Sequence, residues 1–191
     1  MKLLIKPALF LLCLLPLAWL SWQALIIGDL GANPVETITR HTGDWALRLL
    51  LLTLAMTPLR RLGGWTWPLR IRRMLGLFAF FYACLHFLTW LALDHQADWA
   101  EIGADILKRP YITLGFTAFV LLWPLALTST QTMMRRLGRR WAALHRSVYL
   151  IALLAVLHFL WLVKADLLEP LLYAGAYLLL MLARWRQPKA R

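Results

Sequence analysis

The chain has 191 residues, 61% of them hydrophobic, with a mean hydropathy of +0.64. A soluble domain of this size could not bury so much apolar surface, which leaves the membrane class and no room for an added catalytic domain. The net charge of +12 would suit nucleic-acid binding in a soluble protein, but here Lys and Arg sit in short clusters between apolar runs, where the positive-inside rule places them.

In chain order, Lys2 and Lys6 lead into a first apolar run, Ala8 to Ile27. A basic start is also how a signal peptide begins, but the run is long and no A-x-A-like site follows it. An uncleaved membrane helix kinked near Pro16 is therefore expected. Gly28 to Asp44 is polar, with Asn33-Pro34 as a turn signal. The second run, Trp45 to Leu59, is short for a span, and Arg48 at its outer end can snorkel to the headgroups. A basic loop follows, from Arg60-Arg61 to Arg72-Arg73, with Trp65 and Trp67 as interfacial anchors.

The third run is Met74 to Leu93 and contains His86. Asp94, Asp98, Glu101 and Asp105 then form an acidic segment, expected as a loop or short surface helix and as a docking surface for a partner of complementary charge. The fourth run, Tyr111 to Thr128, is interrupted by Pro124. A second basic loop, Met133 to Arg140, leads to the fifth run, Trp141 to Val163, which carries His145 and His158. The sixth is Pro170 to Ala183, followed by a basic tail with Arg184, Arg186, Lys189 and Arg191. No internal repeat, low-complexity segment or soluble linker is expected.

These runs predict an all-α polytopic bundle, a single domain over residues 1–191 with six transmembrane helices and both termini cytoplasmic. On that topology all nine acids fall outside, with only Arg40, Arg48, Lys108, Arg109 and Lys164 among the 21 Lys and Arg. Cys13 and Cys84 lie inside apolar runs and form no C-x-x-C or C-x-x-C-H motif. Thiol exchange and covalent haem attachment are thus excluded.

An ionisable side chain inside a membrane helix marks a functional site by default. His86 and His158 both fall ~20 Å from the last inner arginine of their helices at ~1.5 Å per residue. Two imidazoles at matched depth on facing helices suit axial ligation of one non-covalent, b-type haem. His145 points about 140° away from His158 on an ideal helix and faces Arg72 or Arg73 rather than a histidine. It is a candidate ligand of a second haem, or a group that binds a propionate or quinone. His41 and His95 are expected to be solvated in outer loops or at helix ends. Gly76, Ala79 and Ala83 allow close approach of a helix or porphyrin. A non-redox transporter or haem carrier, using the histidines as a relay, is the alternative.

R-R-M-L-G-L-F-A-F-F-Y-A-C-L-H-F (Arg72 to Phe87), L-H-R-S-V-Y (Leu144 to Tyr149) and L-H-F (Leu157 to Phe159) resemble the ferric-reductase-like transmembrane family. T-G-D-W-A-L (Thr42 to Leu47) and T-P-L-R-R (Thr57 to Arg61) are similar as well. The resemblance implies a haem-b subunit of the bacterial inner membrane, binding haem through His86, His145 and His158. It would pass electrons from the quinone pool, or a cytosolic flavin reductase, to a periplasmic molybdopterin-dependent methionine sulfoxide reductase. The broader family carries two histidines on each ligand helix, where the third helix here has one. FMN is implied by the resemblance alone, with no G-x-G-x-x-G motif beside it.

Overall fold

Prolines and glycines set where the helices of this chain start, bend and stop. In the computed structural model, which describes residues 5–185, α1 (Ile5–Trp22) ends in a π-helical turn (Gln23–Ile27) closed by Gly28 at φ 72°. Then follow α2 (Pro34–Gly63), α3 (Trp67–Thr89) with its own π turn (Trp90–Asp94), α4 (Trp99–Lys108) and α5 (Pro110–Leu127). Two short helices, α6 (Gln131–Leu137) and α7 (Arg139–His145), lead to α8 (Val148–Leu162) and α9 (Leu168–Trp185). Lys2, Arg186, Lys189 and Arg191 lie outside the described residues. No strand occurs among the described residues.

Among the described residues, four helical segments are long and apolar enough to cross a membrane: Lys6–Ile27, Trp67–Asp94, Pro110–Leu127 and Arg139–Leu162. Leu11, Leu15, Trp161, Leu178 and Leu179 are exposed on the flanks of the bundle, as lipid-facing side chains are. The protein is a membrane helix bundle.

Several boundaries differ from the sequence reading. α2 starts at Pro34, well inside the stretch expected to be a polar loop. Asn33 is its N-cap: its side-chain oxygen accepts from Glu36 N at 3.3 Å, and its amide donates to the Glu36 carboxylate. Asn-Pro-x-Glu is thus a helix N-cap with proline at N1, not only a turn. The basic loop after α2 shrinks to residues 64–66, because α2 runs on through Arg60 and Arg61 and α3 starts at Trp67. The second basic loop is largely helical, as α6 and α7. The fifth run is not one helix. It breaks at Arg146 and Ser147, whose amides bond three residues back to Ala143 and Leu144. The Ser147 hydroxyl takes the Leu144 carbonyl as well, at 2.7 Å.

Other helices supply what the prolines take away. Pro16 breaks the α1 ladder, and the fully buried Tyr82 hydroxyl fills the break, accepting from Leu17 N at 3.2 Å and donating to Cys13 O at 2.8 Å. Pro58 leaves the Leu54 carbonyl without its helical donor, and the Arg184 guanidinium of α9 donates to it and to Tyr149 Oη. Arg184 is therefore a half-buried cross-tie, not a tail charge as first expected. Arg48 does not snorkel freely either: it donates to Tyr173 Oη at 2.6 Å and pairs with Glu169 at 3.3 Å, tying α2 to α9. Tyr82→Phe is expected to loosen α1 by about 1 kcal/mol, the scale of an interhelical hydrogen bond in a membrane. Thermal unfolding of the detergent-solubilised chain checks this.

Contrary to expectation, the fold contains an internal repeat. The hairpin α2–α3 and the pair α5–α8 carry matching residues at one constant offset. Gly43-x-x-Ala46-x-x-Leu49-Leu50 matches Gly115-x-x-Ala118-x-x-Leu121-Leu122, and Ala83-x-Leu85-His86-Phe87-Leu88 matches Ala155-x-Leu157-His158-Phe159-Leu160. An aromatic seam joins the two units: Phe119 of α5 stacks on Phe87 of α3 with centroids 4.8 Å apart, and Trp123 meets Phe80 edge-on at 5.2 Å.

Candidate functional site

Between the two hairpins lies a cavity of about 500 Å³, with His86 of α3 and His158 of α8 in its wall. The rings face each other with centroids 6.3 Å apart and planes at 71°. Each histidine is fixed in the same way. His86 Nδ1 lies 2.9 Å from the Thr39 carbonyl and His158 Nδ1 lies 2.7 Å from the Tyr111 carbonyl, both across 47 positions of sequence. A carbonyl only accepts, so both rings carry their proton on Nδ1 and leave the Nε2 lone pair for the cavity.

Glycine makes this contact possible. One turn after each carbonyl stands Gly43 or Gly115, and a Cβ there would come within 2.9 Å of His86 Nδ1 or 2.8 Å of His158 Nδ1. Any other residue would push the ring off the carbonyl that orients it. These two glycines were missed in the sequence reading. The signal was the paired Gly-x-x-Ala-x-x-Leu-Leu motif, each copy preceding an Ala-x-Leu-His-Phe-Leu by the same interval.

The donor set fits a haem iron. A metal shared by the two imidazoles, with each nitrogen about 2 Å away as for imidazole on zinc, would need ring centroids no more than about 6 Å apart. The spacing observed here stands at that limit. The walls include small and flat side chains, among them Ala79, Ala83, Ala118, Ala155 and Phe119. Thr39 Oγ1, also on this wall, is buried and has no hydrogen-bond partner within the protein. Gly76, expected to serve the same approach, instead faces Thr53 and lines a different cavity.

That second cavity, about 280 Å³, holds His145 together with Arg72, Arg73, Ser129 and Trp141. Leu50 and Leu122, repeat equivalents of one another, line both cavities and separate them. His145 Nε2 meets Thr128 Oγ1 at 3.0 Å, and the ring stacks on Trp141 with centroids 4.0 Å apart. By the repeat offset, the position equivalent to His145 is Arg73. The structure thus brings His86 and His158 together and leaves His145 apart from them.

The two histidines expected to be solvated are not. His41 Nε2 bonds to the Pro16 carbonyl at 3.1 Å and its ring stacks on Trp19. His95 is only 7% exposed, under Trp90 and beside Asp105. Its burial requires the chain to fold back through Gln96 and Ala97 at φ 46° and 60°, which sequence patterns do not announce. At the same end, Arg109 lines the larger cavity. Bonds to the Tyr111 hydroxyl and the Asp105 carboxylate raise its proton affinity above the ordinary arginine value.

Residues 42–156 match the model of the family described as ferric reductase like transmembrane component. Among curated proteins, the chain is 58% identical to the protein-methionine-sulfoxide reductase heme-binding subunit MsrQ of Rhodospirillum rubrum, covering 94% of this chain and 86% of that one. It is 55% identical to the MsrQ of Herminiimonas arsenicoxydans, over 95% and 84% of the two chains. The MsrQ of Xanthomonas axonopodis pv. citri is 58% identical, over 89% and 78%. No solved structure matches the chain.

Proposed function

The chain belongs to the ferric reductase like transmembrane family, and from that premise we propose that it is the haem-bearing electron-transfer subunit of a methionine sulfoxide reductase system. The observation that carries this reading is the facing pair His86 and His158, with both Nδ1 protons spent on backbone carbonyls. Haem b, when bound there, supplies one-electron Fe(III)/Fe(II) chemistry. The protein's part is to hold both imidazoles in the ligating tautomer, to exclude water with apolar walls, and to keep the ring positions unchanged between redox states. Rigid second contacts of this kind orient ligands and raise their basicity.

In this reading all six long helical segments cross the bacterial inner membrane, with both termini on the cytoplasmic side. The segregation of acids to the α4 end supports this orientation. Electrons enter from the quinone pool or a cytosolic flavin reductase and leave to a periplasmic molybdopterin-dependent catalytic subunit. Neither cysteine has a partner thiol, so the chain has no dithiol with which to reduce the sulfoxide itself. FMN association rests on kinship alone. A second haem, where bound, has His145 as its one imidazole ligand. The smaller volume beside His145 favours a single haem at full size.

A pyridine haemochrome assay against protein concentration tests haem type and stoichiometry together. Non-covalent haem b at one per chain is expected, and reduction by a quinol analogue or a flavin reductase separates an electron conduit from a haem carrier. His145→Ala is expected to leave the spectrum of the His86–His158 site unchanged, as its ring lies in the other cavity. Absorption and electron paramagnetic resonance spectra of the purified variant check this.

A further inference from the structure

The larger cavity is apolar toward Leu50 and Leu122 and polar at its other end, where Arg40 and Arg109 stand among Glu36, Asp44 and Asp94. A ligand with ionised carboxylates must turn them to that polar end, since burying an unpaired carboxylate is strongly unfavourable. The two arginines there are held differently. Arg40 is tied within its own helix to Glu36, at 2.9 Å. Arg109, between α4 and α5, presents Nε to Asp105 Oδ1 at 3.1 Å and Nη1 to Tyr111 Oη at 3.4 Å.

Behind Arg109 stands a buried row. Asp105 is 7% exposed, and its second oxygen lies 3.2 Å from Nε2 of His95, itself 7% exposed. His95 Nδ1 in turn lies 3.5 Å from Glu101 Oε2. These contacts have ion-pair distances but lack hydrogen-bond geometry, so the buried atoms are incompletely satisfied. Such an arrangement between one short helix and the turn before it needs a reason beyond holding α4 in place.

Resting on the haem reading above, we propose that Arg109 receives a carboxylate of the tetrapyrrole, with Asp105 and His95 as positioning residues that aim its guanidinium into the cavity. A guanidinium matches a carboxylate with two parallel N–H bonds and stays charged at any working pH. α4 then has a function: it carries the buried acid that fixes the arginine, and it closes the polar end of the site. Tyr111 links this anchor to the ligand clamp, since its hydroxyl meets Arg109 while its carbonyl holds His158.

The test compares haem with its dimethyl ester, which has no ionised carboxylate, each loaded into the full-length chain in detergent. Haem retention and midpoint potential are read for wild type, Arg109→Gln, Asp105→Asn and Lys108→Gln. Wild type is expected to keep haem about tenfold longer than the ester, the scale of a charge-assisted pair. Arg109→Gln and Asp105→Asn lose that preference. Arg109→Gln also lowers the reduced fraction of haem at fixed ambient potential by up to about tenfold, or 59 mV for one electron, with no further change for the ester. Lys108→Gln, which removes a neighbouring charge that does not line the cavity, keeps the preference. Equal effects of Arg109→Gln on haem and ester, or no effect on either, overturn this assignment while leaving the His86–His158 site standing. A wild-type chain that takes up neither porphyrin overturns both.

Discussion

Full-length His158→Ala is expected to insert and express normally, and to lose the low-spin b-type absorption bands with a fall in haem retention of more than about 100-fold. The variant removes one imidazole and leaves the Tyr111 carbonyl without its donor, so the site loses both a metal ligand and an orienting bond. His86→Ala should behave the same way, because the repeat gives His86 an equivalent carbonyl and an equivalent glycine. Equal losses from the two variants would reflect this symmetry. Optical spectra of purified protein, normalised to chain concentration, measure the outcome. Retention of the bands in either variant would assign the ligand elsewhere.

Gly115→Ala is the second large effect expected, although a glycine offers no side-chain donor to a haem. The added methyl would stand 2.8 Å from His158 Nδ1, inside any real Cβ contact. Either the ring turns away from the Tyr111 carbonyl or the two helices part, at a cost of about 1–3 kcal/mol. Loss of the orienting bond should weaken haem retention by about 10- to 100-fold, the range for second contacts of a metal ligand. Gly43→Ala should act on His86 likewise. Gly175→Ala is the control, since nothing lies within 4 Å of its added methyl, and it should leave the haem spectrum intact. If Gly115→Ala and Gly175→Ala gave the same spectrum and retention, the proposed role of the glycine would fail.

Much of the fold was legible before any coordinates. Apolar runs and arginine clusters located the long helices, and counting from Arg73 and Arg146 put His86 and His158 at one depth, where their rings meet. The boundaries that escaped were local. Asn33-Pro34-x-Glu36 reads equally as a turn and as a helix start, and only the observed cap decides for the helix. The break at Ser147 depends on a serine hydroxyl competing for a backbone carbonyl, which hydrophobic periodicity does not record. Arg184 looked like a tail charge because its partner, the carbonyl freed by Pro58, is remote in sequence.

The site was only half legible, for a related reason. Histidines announce themselves in a membrane segment by their cost. Glycines do not, and Gly43 and Gly115 gain meaning only when the second hairpin is laid over the first. His95 and Arg109 were less accessible still. The contact of His95 with Asp105 depends on the left-handed turn at Gln96 and Ala97, and Arg109 gains its role only from that buried acid one turn before it.

Near-infrared magnetic circular dichroism of the oxidised, full-length protein bears most directly on the clamp, since the charge-transfer band it detects identifies the axial ligand pair of low-spin haem. Two neutral imidazoles are predicted for the wild type, with that signature gone in both His86→Ala and His158→Ala. A correctly inserted chain that stays colourless in porphyrin-replete cells, or a band belonging to any other ligand pair, would contradict the account.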